Sequence, residues 1–441
     1  MAEVSATGLV EGEGAVVGAP EGAEVAAEPA ALSLRTMLLY SVASAGKNMV
    51  DAFSNAALPL YLEPYGLPGW LVGLLAQERS GIGGLVQPAI GALSDRTRTR
   101  FGRRRPFFLV GASLTALALV FLAFHPPLVP MLAVVAILSF LLAVAADPYL
   151  ALMADMTPER QRGRLGSYMG ICAMAGQVVL LLLASKFWQA HERVVIFAAA
   201  GGLLVCFGVT FAGVREPAVP ARRPAPARPR FTPGRYLRDV LREREVAKYS
   251  LALTFFWLGG GAAAPFLTRF GVHELGLSDG TAFFLVMLIV LCTAVFAYPA
   301  GYLGDRYGKK VVQSAGLLFY GVAILVSSQV RTLEQILPAI VFVGLGNTIP
   351  TVLAMPMLAD LIPKARAGEF TGLGSMLWSL SQPLGALIGG ALADASGGYR
   401  LTFVFAGLMM FVSFALLQTV RTGSRAHPQA SPRQSDSRAV G

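Results

Sequence analysis

The side chains in this sequence with most chemistry to offer are ionisable and amide groups set inside long apolar stretches. Between residues 36 and 59, Tyr40, Ser44, Lys47, Asn48, Asp51 and Asn55 recur at helical spacing and share one face. Lys47 and Asp51, four residues apart, are placed to pair. Glu78 and Arg79 interrupt the next apolar stretch at comparable depth, and Asp147 interrupts the fourth. A charge inside a bilayer is costly unless it faces protein or water, so the polar stripe is expected to line a cavity. A carboxylate held partly out of water is suited to taking up and releasing a proton near working pH, which makes Asp51, Asp147 and Glu78 candidates for proton coupling. The alternative for the charged set is a structural ion network that fixes helix packing.

A solute rich in hydroxyls needs amide and carboxylate partners for them and aromatic partners for any apolar ring face. Asn48, Gln177, Asn347 and Gln382 are candidates for the first role, and Tyr149, Trp257 and Trp378 for the second. Each aromatic alone is more often packing. Breaks near mid-stretch at Gly259-Gly260-Gly261 with Pro265, at Pro350 and Pro356, and at Pro383 would let helices bend or expose backbone at a binding site. Other chemistries find no support. Cys172, Cys206 and Cys292 lie in apolar runs without CxxC spacing, and His125, His191, His273 and His427 form no pair at metal-ligand spacing. No Walker sequence occurs, so ATP-driven transport by this chain alone is not expected. The expectation is therefore no enzyme, no metal and no cofactor.

These residues need a scaffold, and the composition supplies one. The 441 residues have a mean hydropathy of +0.60, 55% hydrophobic and 14% charged residues, which argues against a soluble cytosolic protein. A hydrocarbon core of about 30 Å needs about 20 apolar residues per helix. Twelve spans answer to that length, near 36–59, 70–93, 106–125, 129–155, 164–187, 194–214, 248–270, 280–304, 310–330, 335–361, 368–393 and 399–420. Lipid offers no partner to open backbone groups, so these are helices, and their uninterrupted apolar runs argue against a β-barrel. The expected fold is an all-α membrane protein of twelve transmembrane helices in two six-helix pseudo-repeats. Of the 36 Lys+Arg, 29 fall in the connections and tails on one side and five on the other; Lys47 and Arg79 lie within spans. The positive-inside rule then puts both termini in the cytoplasm of a multi-pass protein of the cytoplasmic membrane, and reads the net charge of +10 as topology rather than nucleic-acid binding. Residues 1–33 read as a disordered cytoplasmic tail, 34–215 as an N-terminal bundle, 216–247 as a Pro/Arg-rich cytoplasmic linker, 248–421 as a C-terminal bundle and 422–441 as a second disordered tail.

The two halves echo each other. GALSDR at 91–96 recurs as GYLGDR at 301–306, and ADMTP at 154–158 as ADLIP at 359–363, which fits duplication of a six-helix unit. The run from Gly301 through Asp305, Arg306 and Gly308 to Lys309 resembles the cytoplasmic motif A of the major facilitator superfamily. Its first copy, with Gly91, Asp95, Arg96, Gly102, Arg103 and Arg104, resembles the longer form found in sucrose-proton symporters of the glycoside-pentoside-hexuronide group. The glycines permit close helix approach and a sharp turn, and the acids are placed to pair with arginines near helix ends, which implies a gating role. Gly46-Lys47-Asn48 is similar to the Gly-Lys-Asp of melibiose-type symporters, which implies that Lys47 serves substrate binding, and Asp147-Pro148-Tyr149 resembles their Asp-x-Pro-aromatic, one residue shorter. The sodium-binding acids of that subfamily fall here on Gly83 and Gln87, and the acid of the sucrose type on Ser139. The resemblance implies a secondary transporter of a sugar or glycoside working as a monomer in the lipid bilayer, with protons rather than sodium as the coupling ion. An efflux or lipid-handling member of the same fold is the alternative within the class, and a non-transporting membrane sensor or scaffold the alternative outside it.

Overall fold

A computed structural model describes residues 31–77, 90, 93, 94, 97, 99, 102–216, 243–362 and 367–421, with backbone alone at 367–373, 375 and 376. Helix is present at every one of the twelve predicted spans, and among the described residues no strand forms. Span 1 runs as Leu34–Ala52, capped by Ser33, whose hydroxyl accepts the Thr36 N–H at 3.2 Å. It then widens into a π turn at Phe53–Ala57 and resumes at Leu58–Tyr61. Span 2 is described over 69–77. Span 3 is Arg105–Leu122, span 4 Leu128–Met156, span 8 Asp279–Tyr307, span 9 Lys309–Gln329, span 10 Leu333–Leu361, span 11 Ala367–Ser396 and span 12 Arg400–Gln418. Span 7 repeats the irregularity of span 1: Arg244–Ala263 is followed by a 3-10 turn at Ala264–Phe266, a short helix at Leu267–Arg269 and a π turn at Phe270–Glu274.

Spans 5 and 6 differ from the sequence expectation. They form one helical run, Glu159–Gly213, kinked at His191, where φ is −148° and ψ 58°. The stretch between them, Trp188 to Arg193, holds neither Gly nor Pro, so nothing local stops the helix and only one residue leaves it. Eight helices in the described residues are long and apolar enough to cross a membrane, the joined helix of spans 5 and 6 counting once.

The helices gather around two buried cores. One extends from Met37 to Val214 and takes in Phe283 and Met287 of span 8; the other extends from Val246 to Val420. Large apolar side chains also stand exposed on the outer helix faces, among them Leu117, Val129, Ile171 and Val295. That pattern suits a lipid solvent, which removes any drive to hide them. Within each half, glycines bring helix backbones together. A Cβ at Gly176 of span 5 would overlap the Ala45 carbonyl of span 1, and one at Gly385 of span 11 the Leu258 carbonyl of span 7.

The halves meet at one end of the molecule, here called the Glu63 end. Thr268 Oγ1 donates to the Ala56 carbonyl at 3.0 Å and Arg269 Nε to the Pro59 carbonyl at 2.9 Å. Glu63 lies 3.3 Å from Arg269 Nε and 2.9 Å from His273 Nε2. The rings of Trp188 on span 5 and Phe283 on span 8 meet edge to face with centroids 5.2 Å apart. At the opposite, Arg103 end, the ion pairs among the described residues stay within a half.

Gly176→Leu is expected to overpack the seam between spans 1 and 5 at a cost of about 1–3 kcal/mol, whereas Gly170→Leu, where a Cβ meets open space, should be tolerated. Thermal unfolding of the two purified variants in detergent checks the contrast.

Candidate functional site

Lys47 and Asp51 sit one turn apart on span 1 with Nζ 2.9 Å from Oδ2, and 17% and 9% of their side chains exposed. That burial holds the pair in low dielectric, where each charge stabilises the other. Around it, the amides are tied into two relays. In the first, Gln177 Nε2 of span 5 donates to Asn48 Oδ1 at 3.1 Å, and Asn48 Nδ2 donates to the Ser44 carbonyl at 2.8 Å. The Ser44 hydroxyl lies 2.9 Å from the Tyr149 hydroxyl. In the second, Gln77 Nε2 of span 2 donates to Asn55 Oδ1 at 2.8 Å, and Asn55 Nδ2 donates to the Asp51 carbonyl at 2.8 Å. Asn55 lies in the π turn of span 1, a type of irregularity that recurs at functional sites.

Both relays begin at a cavity of about 400 Å³ between the halves. Its size falls in the range of small-molecule sites. The first half contributes Asn55, Gln77 and Gln177 to its wall; the second contributes Asn347, Gln382 and Ser327 together with an aromatic and aliphatic surface that includes Phe256, Trp257, Tyr320, Ile289 and Ile340. None of the described residues lining it carries a formal charge. Trp257 Nε1 is buried and has no hydrogen-bond partner among the described residues. An indole N–H left this way at a cavity wall is available to an oxygen of a bound solute. Gly260 lines the same wall, and Gly261 lets span 7 approach span 11 there, since a Cβ on it would overlap the Gln382 carbonyl.

The structure brings together four of the residues singled out as substrate ligands, Gln177, Trp257, Asn347 and Gln382, at the cavity surface. Lys47 and Asn48 stand behind it, Asn48 reaching it through Gln177. Tyr149 is fully buried elsewhere, its ring stacked on Tyr40 at 4.5 Å. Tyr40 OH donates to the Tyr149 carbonyl and Tyr149 OH to the Tyr40 carbonyl. Trp378 is buried in the second core, and Asp147 is half-buried on span 4; neither lines the cavity. Glu78 lies outside the described residues. Asn55 was expected on the cavity-lining polar face of span 1 but not named as a substrate ligand, and Gln77 and Tyr320 were not singled out at all. Gln77 is a polar residue in an apolar run directly before Glu78, and that was the available signal.

At the Arg103 end the two repeated motifs meet each other in both halves. Arg103 Nη2 lies 2.5 Å and Arg104 Nη2 3.1 Å from Asp155 Oδ2, and Lys309 Nζ lies 2.6 Å from Asp360 Oδ2. Asp155 and Asp360 are the aspartates of ADMTP and ADLIP. Gly102 and Gly308 hold φ of 109° and 92°, values that favour glycine, so each motif turns sharply before its cation. Glu216 adds a support the sequence did not reveal: its Oε2 accepts the N–H groups of Arg103 and Arg104 at 2.9 and 3.0 Å. Asp305 is exposed and forms no ion pair among the described residues, while Arg306 reaches the Tyr302 hydroxyl at 3.4 Å. Gly301 lies on the same helix, span 8. Gly91, Asp95 and Arg96 lie outside the described residues.

Paired six-helix halves around a shared cavity, with basic turns repeated at one end, are the frame of a membrane transporter. A family model described as MFS/sugar transport protein matches residues 39–420. The chain belongs to that family. Multidrug resistance protein MdtH of Klebsiella pneumoniae is 26% identical over 355 residues, covering 79% of this chain and 85% of that protein. An uncharacterized MFS-type transporter of Methanocaldococcus jannaschii is 32% identical over 152 residues, 34% of this chain and 39% of that protein's length. Among solved structures, a bacterial homolog of the human lysosomal transporter Spinster, inward-facing and occupied, superposes with a TM-score of 0.69 at 14% identity, over 87% of this chain and 95% of its own. The chain thus has the fold of the major facilitator superfamily, and its family and structural neighbours are transporters of small molecules.

Lys47→Met removes the cation beside a carboxylate that is largely out of water, which is expected to cost about 3 kcal/mol or more and to lower the yield of folded protein. Adding Asp51→Asn should restore that yield. Size-exclusion profiles of the single and double variants read the outcome.

Proposed function

We propose that the chain is a secondary transporter that moves a neutral sugar or glycoside across the cytoplasmic membrane by alternating access, coupled to protons. The observation that carries this reading is the cavity between the halves, where amides from both sides face aromatic rings and a free indole N–H. Hydroxyl-rich solutes need both kinds of wall: directed partners for each hydroxyl and flat apolar surface for the ring faces. The family description supports a sugar among the substrates of such a fold.

The distribution of basic residues puts the Arg103 end, with both termini, in the cytoplasm. The contacts at the Glu63 end then close the outer side, so the arrangement is that of a carrier shut to the outside. Asp51 is our candidate for the coupling group. Its carboxylate pairs with Lys47, and its backbone carbonyl accepts from Asn55 at the cavity surface, so the coupling group lies one helical turn from a solute ligand on the same span. Asp147 and Glu78 are the further candidates. The protein works as a monomer in this scheme, with the cavity complete in one chain.

Export of apolar small molecules is the second reading, favoured by the aliphatic surface that the second half gives the cavity. The two readings part on the chemistry of the solute, since an amide-lined first half serves hydroxyl groups and is idle for a hydrocarbon.

In proteoliposomes with an imposed pH gradient, labelled sucrose, maltose or melibiose is expected to accumulate, with sodium making no difference because Gly83 and Gln87 stand where sodium ligands would be. An absolute sodium requirement, or absence of saccharide transport beside export of apolar dyes, would reject this reading. The double variant Lys47→Met with Asp51→Asn, which strands neither charge, should lose accumulation yet retain exchange of labelled for unlabelled solute, because exchange between loaded states need not release a proton.

A further inference from the structure

The contact between spans 2 and 11 contains a carboxylate that neither the cavity nor the repeated motifs use. The helix of span 2 begins at Gly69, directly after Pro68, and its first backbone bonds run from Leu71 and Val72 to the Pro68 carbonyl at 3.0 and 3.1 Å. The N–H groups of Gly69 and Trp70 precede any intrahelical acceptor, and the Pro68 side chain has no oxygen to offer them. Their acceptor comes from the other half. Asp394 Oδ1 accepts from Gly69 N at 2.7 Å and Oδ2 from Trp70 N at 3.2 Å. A carboxylate at this position satisfies two orphan donors and faces the positive end of the helix dipole.

The backbones are close enough for this only because the seam is built of small residues. A Cβ at Gly390 would overlap the Gly69 carbonyl, and one at Gly73 the Ala386 carbonyl. The pseudo-equivalent seam, between spans 5 and 8, shares the close approach, since a Cβ at Gly280 would overlap the Ser185 carbonyl. It does not share the cap. The helix of span 8 is capped by its own Ser278, whose hydroxyl accepts the Thr281 N–H at 3.2 Å. Parting spans 5 and 8 leaves that cap in place, whereas parting spans 2 and 11 strips two donors of their acceptor.

We propose that Asp394 is a latch: a helix cap supplied across the two halves that holds the Glu63 end closed and must be surrendered each time that end opens. Asp394 is exposed, so solvent screens its charge and the hold comes mainly from the two directed hydrogen bonds. Its removal therefore shifts the balance between closed and open forms without dismantling either.

The test is independent of the solute and of the coupling ion. Nitroxide labels are attached through Pro64→Cys and Ala395→Cys, two exposed sites on opposite halves, in a full-length chain whose three native cysteines are serine. Pulsed electron-electron resonance in nanodiscs then gives the distances across the Glu63 end. Asp394→Ala is expected to raise the share of the long distance about three- to tenfold, the range set by loss of a helix cap. Asp394→Asn keeps one of the two acceptor oxygens and should fall between the parent and the alanine variant. Gly390→Ala, which retains the carboxylate but drives a methyl into the Gly69 carbonyl, should open the same seam and serves if Asp394→Ala gives no folded protein. Unchanged distances in Asp394→Ala or Gly390→Ala overturn the latch, and so does an Asp394→Asn variant that opens as far as the alanine, since charge rather than capping would then hold the end.

Discussion

A polar group inside a lipid-facing bundle must be satisfied by protein, because the surrounding solvent has nothing to give it. Much of the arrangement around span 1 follows from that requirement. Asn48, Asn55, Lys47 and Asp51 each find a partner on their own helix one turn away, and Gln177 and Gln77 then attach to the amides so fixed. The cavity wall is thus set by side chains that already have geometry imposed on them from behind. A wall of this kind loses little freedom when a solute binds, which is how a site of few polar groups keeps selectivity.

The same requirement explains why the two halves resemble each other in bonding more than in sequence. Tyr40 OH donates to the carbonyl of Tyr149 on span 4, and Tyr249 OH donates to the carbonyl of Ala354 on span 10 at 2.9 Å. Tyr149 and Ala354 share no chemistry as residues, but a backbone carbonyl is the same acceptor at every position. The repeat therefore persists at the level of the main chain. At the Arg103 end it persists through charge, with Arg103 in one half and Lys309 in the other meeting the aspartate of the second repeated motif.

The spans were legible in the sequence because hydropathy over 20 residues is a property of the chain alone, and so was the duplicated basic turn with its glycines. The amide relays were only half legible. Helical spacing put Tyr40, Ser44, Asn48 and Asn55 on one face, yet which of them touches the cavity depends on the partners Gln177 and Gln77, which come from other spans. Tyr149 shows the same limit from the opposite side. Its place beside Asp147 and Pro148 fits a sugar platform and a core residue alike, and only the stacked ring of Tyr40 tells where it lies. Glu216 was hidden for a different reason: it opens a segment whose Pro/Arg composition reads as linker, while its function in the fold is set by the Arg103 and Arg104 amides 113 and 112 residues away.

The π turn at Phe53–Ala57 places one residue more in the turn than an α-helix would hold, and a surplus residue rotates everything beyond it by about 100° relative to an unbroken helix. Before the turn, span 1 holds Asn48 and the Lys47–Asp51 pair behind the cavity, with Asn55 in the turn itself at the cavity surface; beyond it, Pro59 and Glu63 face the opposing half. Had the helix been regular, one angular register would have had to serve both tasks. The inserted residue gives the two ends of a single span separate facings, so the inner half can change its partners by substitution without re-aiming the outer half, and deletion of one residue from the turn would turn the closing surface away from its mate.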